Sequence, residues 1–322
     1  MNGKIKSYMK KDLLAPGHRA CAGCGQVIAA RAVINALGKN TIVVGATGCL
    51  EVVTTPYPFS AWKVPYIHSL FENAAAVASG IEAALRAQKL DKRINVAVFA
   101  GDGGTVDIGF RALSGMFERG DNVLYVCFDN EAYMNTGIQA SGSTPWGAWT
   151  TTTPVGKFSF GARQAKKNMI AFAVSQGLLY VASTTAGYPL DIKMKVQKAL
   201  EFYGPKYLHI LVPCPVGWGY DSNLTIEVGR LAAQTGHFPV IEVIEGKITK
   251  VLKTPAKRPK ISSYLKLQKR FAHLFKTKEG KKQIDHLQKM ADENIEVIGL
   301  CPTCEEHEIL THYESVDNLN IQ

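Results

Sequence analysis

The chain has 322 residues, is 46% hydrophobic and carries 37 Lys and Arg against 27 Asp and Glu, a formal charge of +10. That length and apolar content build a large buried core, which excludes a disordered chain, and no run of about 18 uninterrupted apolar residues is present to span a bilayer as a helix. The start Met1-Asn2-Gly3-Lys4 leads into charge rather than an apolar signal core, and seven cysteines is an odd count, so a disulfide framework is disfavoured and a soluble, cytoplasmic chain with reduced thiols is expected.

Taken in order, the pattern predicts a helix over 24–37, a strand over 41–44, a helix over 71–88, a strand over 94–99, a helix over 108–119 and a strand over 123–128. A connection rich in Gly, Ser, Thr and Pro follows over 131–167, and loops of that length inside compact domains are commonly functional. Beyond it come a strand over 179–183, a helix over 189–203 with Pro189 in its first turn, a strand over 207–212, and a helix over 223–234 with Asn223 as N-cap. Strands alternating with helices of this length imply an α/β fold, a mainly parallel sheet with helices on both faces. In such sheets ligands bind beyond the carboxyl ends of the strands.

Past residue 245 the chain changes character. Residues 246–290 carry 14 Lys and Arg against only Glu279 and Asp285, whereas 291–322 carry acids and no Lys or Arg. Tyr264, Leu267, Phe271, Leu274 and Phe275 share one helical face with basic residues opposite. That fits either a helix packed on the body or a docking surface for another subunit or an acidic electron carrier. No recognition motif accompanies the charge, so nucleic acid is not an expected partner, and neither is a membrane.

Two sets of residues carry chemistry. The strand over 94–99 runs into Gly101-Asp102-Gly103-Gly104, where small residues permit close backbone approach, a helix start offers free N–H groups, and Asp102 can hold a divalent cation beside a diphosphate. The next strand ends in Asp129-Asn130-Glu131, and 26 residues separate Gly103 from Asn130, enough for one crossover helix and a return to the adjacent strand position. Singly, each segment is equally an ordinary turn. Together they resemble the diphosphate-binding half of thiamine diphosphate enzymes, with the Asn130 oxygen on the same metal as Asp102.

The second set is Cys21-Ala-Gly-Cys24, Cys49 and Cys214, the last followed by Pro215. The spacing suits zinc and an iron–sulfur cluster equally. A structural zinc has no evident reason to share a sheet edge with a thiamine site, whereas an electron acceptor does, so context favours the cluster. Cys127 reads as a small core residue, and Cys301 and Cys304 as a metal or redox pair or part of a solvated acidic tail. His68 either approaches the cofactor or is simply packed and hydrogen-bonded; Trp146 and Trp149 either wall a pocket or anchor their loop. Lys166-Lys167 reads as exposed charge.

At this point Leu14-Ala15-Pro16-Gly17-His18-Arg19-Ala20-Cys21-Ala22-Gly23-Cys24-Gly25, Ala46-Thr47-Gly48-Cys49-Leu50-Glu51 and Asp129-Asn130-Glu131-Ala132-Tyr133-Met134-Asn135-Thr136-Gly137 can be read as a set. With Thr55-Pro56-Tyr57-Pro58, Phe71-Glu72-Asn73 and Pro145-Trp146-Gly147-Ala148-Trp149, they resemble the beta subunits of pyruvate:ferredoxin oxidoreductases over about residues 14–245. The resemblance implies a thiamine diphosphate-binding domain at 1–245 with iron–sulfur ligands, followed by a basic helical extension and acidic tail at 246–322. It implies that Cys21, Cys24, Cys49 and Cys214 ligate a [4Fe–4S] cluster and that Asp102, Asn130 and the Ala132 carbonyl hold magnesium. Gly101, Gly103, Gly104, Asn135 and Thr136 would line the diphosphate and reaction centre, with Asn135 the catalytic candidate, and Gln26 and Cys49 would face the cofactor.

The implied reaction is the coenzyme A-dependent oxidative decarboxylation of pyruvate to acetyl-CoA and carbon dioxide, with electrons leaving through clusters to ferredoxin. Alpha, gamma and delta type subunits are the implied partners, the alpha subunit supplying the glutamate that activates the thiamine. Three other readings remain: the same mechanism on another 2-oxoacid, such as a branched-chain one, a thiamine-dependent carboligase or decarboxylase without electron transfer, and a non-catalytic zinc-stabilised assembly protein.

Overall fold

The structure is a computed structural model that describes residues 12–255 and 257–298; Cys301 and Cys304 lie outside the described residues. Its centre is an eight-stranded sheet. In chain order the strands are β1 (Thr41–Ala46), β2 (Tyr66–Ser69), β3 (Asn95–Gly101), β4 (Val123–Asp129), β5 (Tyr180–Thr185), β6 (Lys206–Leu211), β7 (Ile241–Ile244) and β8 (Lys247–Val251). They lie in the order β8-β7-β5-β6-β4-β3-β1-β2. Six strands, β2 to β5 in that row, run parallel, and β7 and β8 are added antiparallel at one edge.

Strand β4 shows why the sheet sits at the centre. Its residues are all buried: Leu124, Val126 and Phe128 point into one apolar cluster and Val123, Tyr125 and Cys127 into another. The period of two puts successive side chains on opposite faces, so a strand apolar at every position must be covered on both. On the first face lie α1 (Gly25–Leu37) and α6 (Pro189–Ala199); on the second lie α3 (Ala74–Ala87), α4 (Phe110–Glu118) and α5 (Met169–Ser175). Helix α1 buries Val27, Ala30, Ile34 and Leu37, the i, i+3, i+4 stripe that a helix lying on a sheet requires. Short α2 (Cys49–Thr54) follows β1. The five helices expected from sequence, α1, α3, α4, α6 and α8 (Thr225–Gln234), start within three residues of the expected positions, whereas α2 and α5 were not among them; one local difference is that Ser222–Leu224 form a 3-10 turn and Leu224, not Asn223, precedes α8. A two-stranded hairpin, Val155–Gly156 with Ser159–Phe160, interrupts the long connection.

The sheet continues past residue 245 through β8. Beyond it, α9 (Ile261–Lys266), a 3-10 segment (Lys269–Phe275) and α10 (Lys278–Val297) pack on the body. Tyr264, Phe271 and Leu274 are fully buried there against Trp218, Val228 and Phe238, while Phe275 stays partly exposed. The apolar face of this segment is thus a third core rather than a free surface. No helix among the described residues is long and apolar enough to cross a membrane.

Candidate active site

Because β1, β3, β4 and β6 are parallel neighbours, their carboxyl ends deliver four segments to one edge of the sheet: Thr47-Gly48-Cys49, Gly101-Asp102-Gly103, Asn130-Glu131-Ala132 and Pro213-Cys214. A cavity of about 130 Å³ lies there. Of the residues singled out from sequence, Gly101, Asp102 and Gly103 line it from β3, and Asn130, Ala132, Asn135 and Thr136 from the segment after β4. Gln26 and Cys49 line it from the starts of α1 and α2. Gly104 stands just behind the wall, where a side-chain carbon would come 3.2 Å from the Phe71 carbonyl oxygen. Thr47, Gly48, Phe71, Tyr133 and Met134 complete the lining.

Asp102 is buried, and one of its oxygens accepts a 2.5 Å hydrogen bond from Ser141 Oγ. Burial, reinforced by the charge of Asp129, pushes its carboxyl well above the ordinary range, an environment that calls for a cation. Its other oxygen meets Asn130. The end of the Asn130 amide that faces this point is 3.1 Å from Asp102 Oδ1 and 2.6 Å from the Ala132 carbonyl oxygen. With nitrogen in that place the amide donates to both; with oxygen there, three oxygens converge and demand a positive ion. Octahedral magnesium with bonds of about 2.1 Å puts adjacent ligand oxygens about 3.0 Å apart. The spacings here bracket that value, so the donor set fits magnesium.

A π-helical turn, Gly103–Asp107, starts directly after Asp102, and the first N–H groups of a helical segment lack partners within it. Gly103 also has no room for a side chain: a β-carbon would lie 2.2 Å from Tyr133 Cε1. Tyr133 is fixed by a 2.9 Å hydrogen bond from its hydroxyl to Asp107. This turn is suited to a diphosphate.

The cysteines gather beside the cavity. The N–H of Cys24 donates to the Cys21 carbonyl at 3.1 Å, and that of Gly25 to the Pro213 carbonyl at 3.2 Å, which joins the Cys21/Cys24 turn to the Cys214 loop. Burial pushes the Cys49 thiol up to about 12, with the charges of Cys214, Cys24 and Cys21 adding to it. Burial likewise raises Cys214 to about 11, against a 3.3 Å hydrogen bond from Gly217 N–H to its sulfur. Thiols raised by burial in this way, as Cys49 and Cys214 are, persist as thiolates only around positive charge; Cys21 is exposed beside them. Among the described residues, no three His, Cys, Asp or Glu side chains are placed to share a single metal ion. Cys21 and Cys24 also line a larger open groove of about 890 Å³ between α1 and α6.

Other residues noted from sequence fall into place. Cys127 is fully buried in the core. His68 is half exposed, its Nε2 2.7 Å from Thr47 Oγ1. Trp146 donates to Gln283 at 2.9 Å, tying its loop to α10. Lys166 corrects the reading of an exposed charge: it is mostly buried and ion-pairs with both Asp129 and Glu131. A Lys-Lys pair in a polar loop gives no sign of that partner set. Trp218 and Arg270 were equally invisible, and both prove to brace the Asn130 turn.

A family model for the C-terminal TPP binding domain of thiamine pyrophosphate enzymes matches residues 46–210. That span contains Asp102, Asn130 and Cys49 but not Cys21, Cys24 or Cys214. The chain is similar to the pyruvate synthase subunit PorB of Methanocaldococcus jannaschii, 51% identical over 302 residues, 92% of this chain and 99% of that one. It is similar to the ketoisovalerate oxidoreductase subunit VorB of Pyrococcus abyssi, 46% identical over 265 residues, 81% of this chain and 85% of that one. Among solved structures, 2-oxoglutarate:ferredoxin oxidoreductase from Magnetococcus marinus shares the fold, with a TM-score of 0.54 at 24% identity over 68% of this chain and 79% of that one.

Proposed function

Because the chain belongs to the family of pyruvate synthase PorB subunits, with a thiamine pyrophosphate-binding domain, we propose that it is the subunit of a pyruvate:ferredoxin oxidoreductase that holds Mg-thiamine diphosphate and a [4Fe–4S] cluster. The observation that carries this reading is the convergence of the Asp102 carboxylate, the Asn130 amide and the Ala132 carbonyl on one point next to Cys49. When bound, thiamine diphosphate supplies an electron sink for decarboxylation of a 2-oxoacid.

The chain's own residues have separable tasks. Asp102, Asn130 and Ala132 present oxygens to magnesium, and the turn from Gly103 presents N–H groups to the diphosphate. Asn135, Thr136 and Gln26, which also line the cavity, would face the reaction centre of the bound cofactor. Cys21, Cys24, Cys49 and Cys214 would supply the cluster thiolates, and Cys49, which also lines the cavity, would hold the cluster at its wall. The oxidative decarboxylation of pyruvate to acetyl-CoA and carbon dioxide would release electrons for ferredoxin, with coenzyme A accepting the acyl group.

A cavity of about 130 Å³ is small beside the roughly 300–1,000 Å³ of ordinary ligand sites, which supports a site completed by another subunit. The subunits of alpha, gamma and delta type are the proposed partners, and a cytoplasmic enzyme the proposed setting. The similarity to a ketoisovalerate oxidoreductase subunit supports a second reading, the same chemistry on a branched-chain 2-oxoacid.

The test is metal and cofactor content of the purified complex. Asp102→Ala is expected to weaken magnesium-dependent thiamine diphosphate binding by about 10–100-fold while leaving the iron content unchanged. Undiminished binding in that variant would remove the reading.

A further inference from the structure

Asn130 is set between two residues that the C-terminal segment controls. On its carboxyl side stands Glu131, fully buried and at φ +66°, the left-handed region that a residue with a side chain seldom enters. This conformation turns the chain so that the Asn130 side chain and the Ala132 carbonyl oxygen face the same point. Glu131 is held there at both oxygens: Oε2 accepts from Arg270 Nη2 at 2.6 Å and Oε1 from Lys166 Nζ at 2.9 Å. Its N–H donates to Asp129 Oδ1 at 2.9 Å, and its carbonyl accepts from Thr144 Oγ1 at 2.8 Å. On the other side, the Asn130 carbonyl accepts a 2.7 Å hydrogen bond from Trp218 Nε1. The Arg270 guanidinium carbon lies over that indole, 3.8 Å from its ring centroid.

Arg270 therefore touches both braces of Asn130 at once, Glu131 through Nη2 and Trp218 through its guanidinium carbon. It is itself buried and fixed, with Nε donating to Gln268 at 2.9 Å and its carbonyl accepting from Trp149 N–H at 2.9 Å. Only a planar, forked cation supplies both contacts. Trp218 also closes the short helix α7 (Pro215–Trp218) that Cys214 caps, so the same indole links the cluster loop to the metal turn.

We propose that Arg270 is a positioning residue for the metal-binding turn, holding Glu131 and Trp218 so that Asn130 and Ala132 stay aimed at one magnesium ion. The segment after residue 245 is then part of the cofactor site. This rests on the reading of Asp102, Asn130 and Ala132 as a magnesium site.

The test measures the magnesium dependence of thiamine diphosphate binding to the purified complex by tryptophan fluorescence, with iron content read on the same samples. Arg270→Met is expected to raise the half-saturating magnesium concentration about tenfold or more, the range typical of residues that orient metal ligands, with full iron content and with binding restored by excess magnesium. Arg270→Lys, which keeps the charge without the fork or the flat face, should recover only part of the loss. A half-saturating concentration in Arg270→Met within twofold of the parent's overturns the proposal, as does loss that magnesium does not restore. If Arg270→Met does not assemble, Glu131→Gln carries the test with the same expected rise, and an unchanged value there overturns it. Failure of the underlying reading looks different: the unsubstituted complex then shows no magnesium-dependent binding at all.

Discussion

The backbone N–H of Gly25 donates to the carbonyl oxygen of Pro213 at 3.2 Å, so the residue after Cys24 is tied directly to the residue before Cys214. The two lie 188 positions apart in sequence (213 − 25), and a β-carbon on Gly25 would come 2.7 Å from that same carbonyl oxygen. Gly25→Ala is therefore expected to push the Cys21/Cys24 turn away from the Cys214 loop. Iron content of the purified complex should fall by half or more while thiamine diphosphate binding, proposed to use Asp102 and Asn130, persists. Full iron in this variant would show that the two loops need not touch to hold a cluster.

Gly103 offers the complementary experiment. Its absent side chain leaves space occupied by the Tyr133 ring, with 2.2 Å to Cε1, and that ring is anchored on Asp107. Gly103→Ala must displace Tyr133 from the cavity wall or shift the turn proposed to hold the diphosphate. Isothermal titration should show thiamine diphosphate affinity lower by about tenfold or more, equivalent to about 1.4 kcal/mol, with iron unchanged. An added Tyr133→Ala substitution should return part of the affinity by making room for the new methyl group.

Away from the site, Lys206 is a charge buried at a stability cost. It is nearly inaccessible in β6, and burial lowers its pKa to about 8 from an ordinary value of 10.5, although its ammonium donates to Asn122 at 2.5 Å. Below pH 8 the group is charged in both the folded and the unfolded chain, and its burial penalty is fully present. Between about 8 and 10.5 the unfolded chain holds the proton while the folded chain does not, so this penalty is relieved as pH rises. Lys206→Met is expected to gain about 1–3 kcal/mol at neutral pH, less than the whole shift because the Asn122 contact is lost. Thermal melts should show that gain shrinking as pH rises from 8 to 10.5; a gain independent of pH would refute the electrostatic cause.

What the sequence disclosed and what it withheld divide along a physical line. Strands β1, β3 and β4 are apolar at nearly every position, and β5 and β6 keep apolar runs around Tyr180-Val181-Ala182 and Tyr207-Leu208, so all five stand out as buried strands. The 26 residues between Gly103 and Asn130 accommodate one crossover, so their meeting at adjacent strand ends followed from chain geometry. Strands β2 and β7 did not stand out: β2 is four residues long and half exposed, and β7 interleaves Ile241 and Val243 with Glu242, whose carboxylate is satisfied by Tyr180 OH at 2.8 Å. The braces of Asn130 were illegible for another reason. Arg270 stands 139 positions from Glu131, and a buried ion pair at that separation leaves no local pattern, so Arg270 and Lys166 look in sequence like any other surface cations.

The most direct measurement of the central claim is the low-temperature electron paramagnetic resonance spectrum of the complex. It would be purified without oxygen and recorded before and after addition of pyruvate, with thiamine diphosphate and magnesium present and coenzyme A omitted. The account expects a reduced iron–sulfur signal to appear on pyruvate addition, and to be absent when Asp102 is replaced by Ala even though the cluster remains reducible chemically. A signal that responds to 2-oxoisovalerate and not to pyruvate would keep the site and change its substrate. No iron signal under any condition, including strong chemical reduction, would contradict the account.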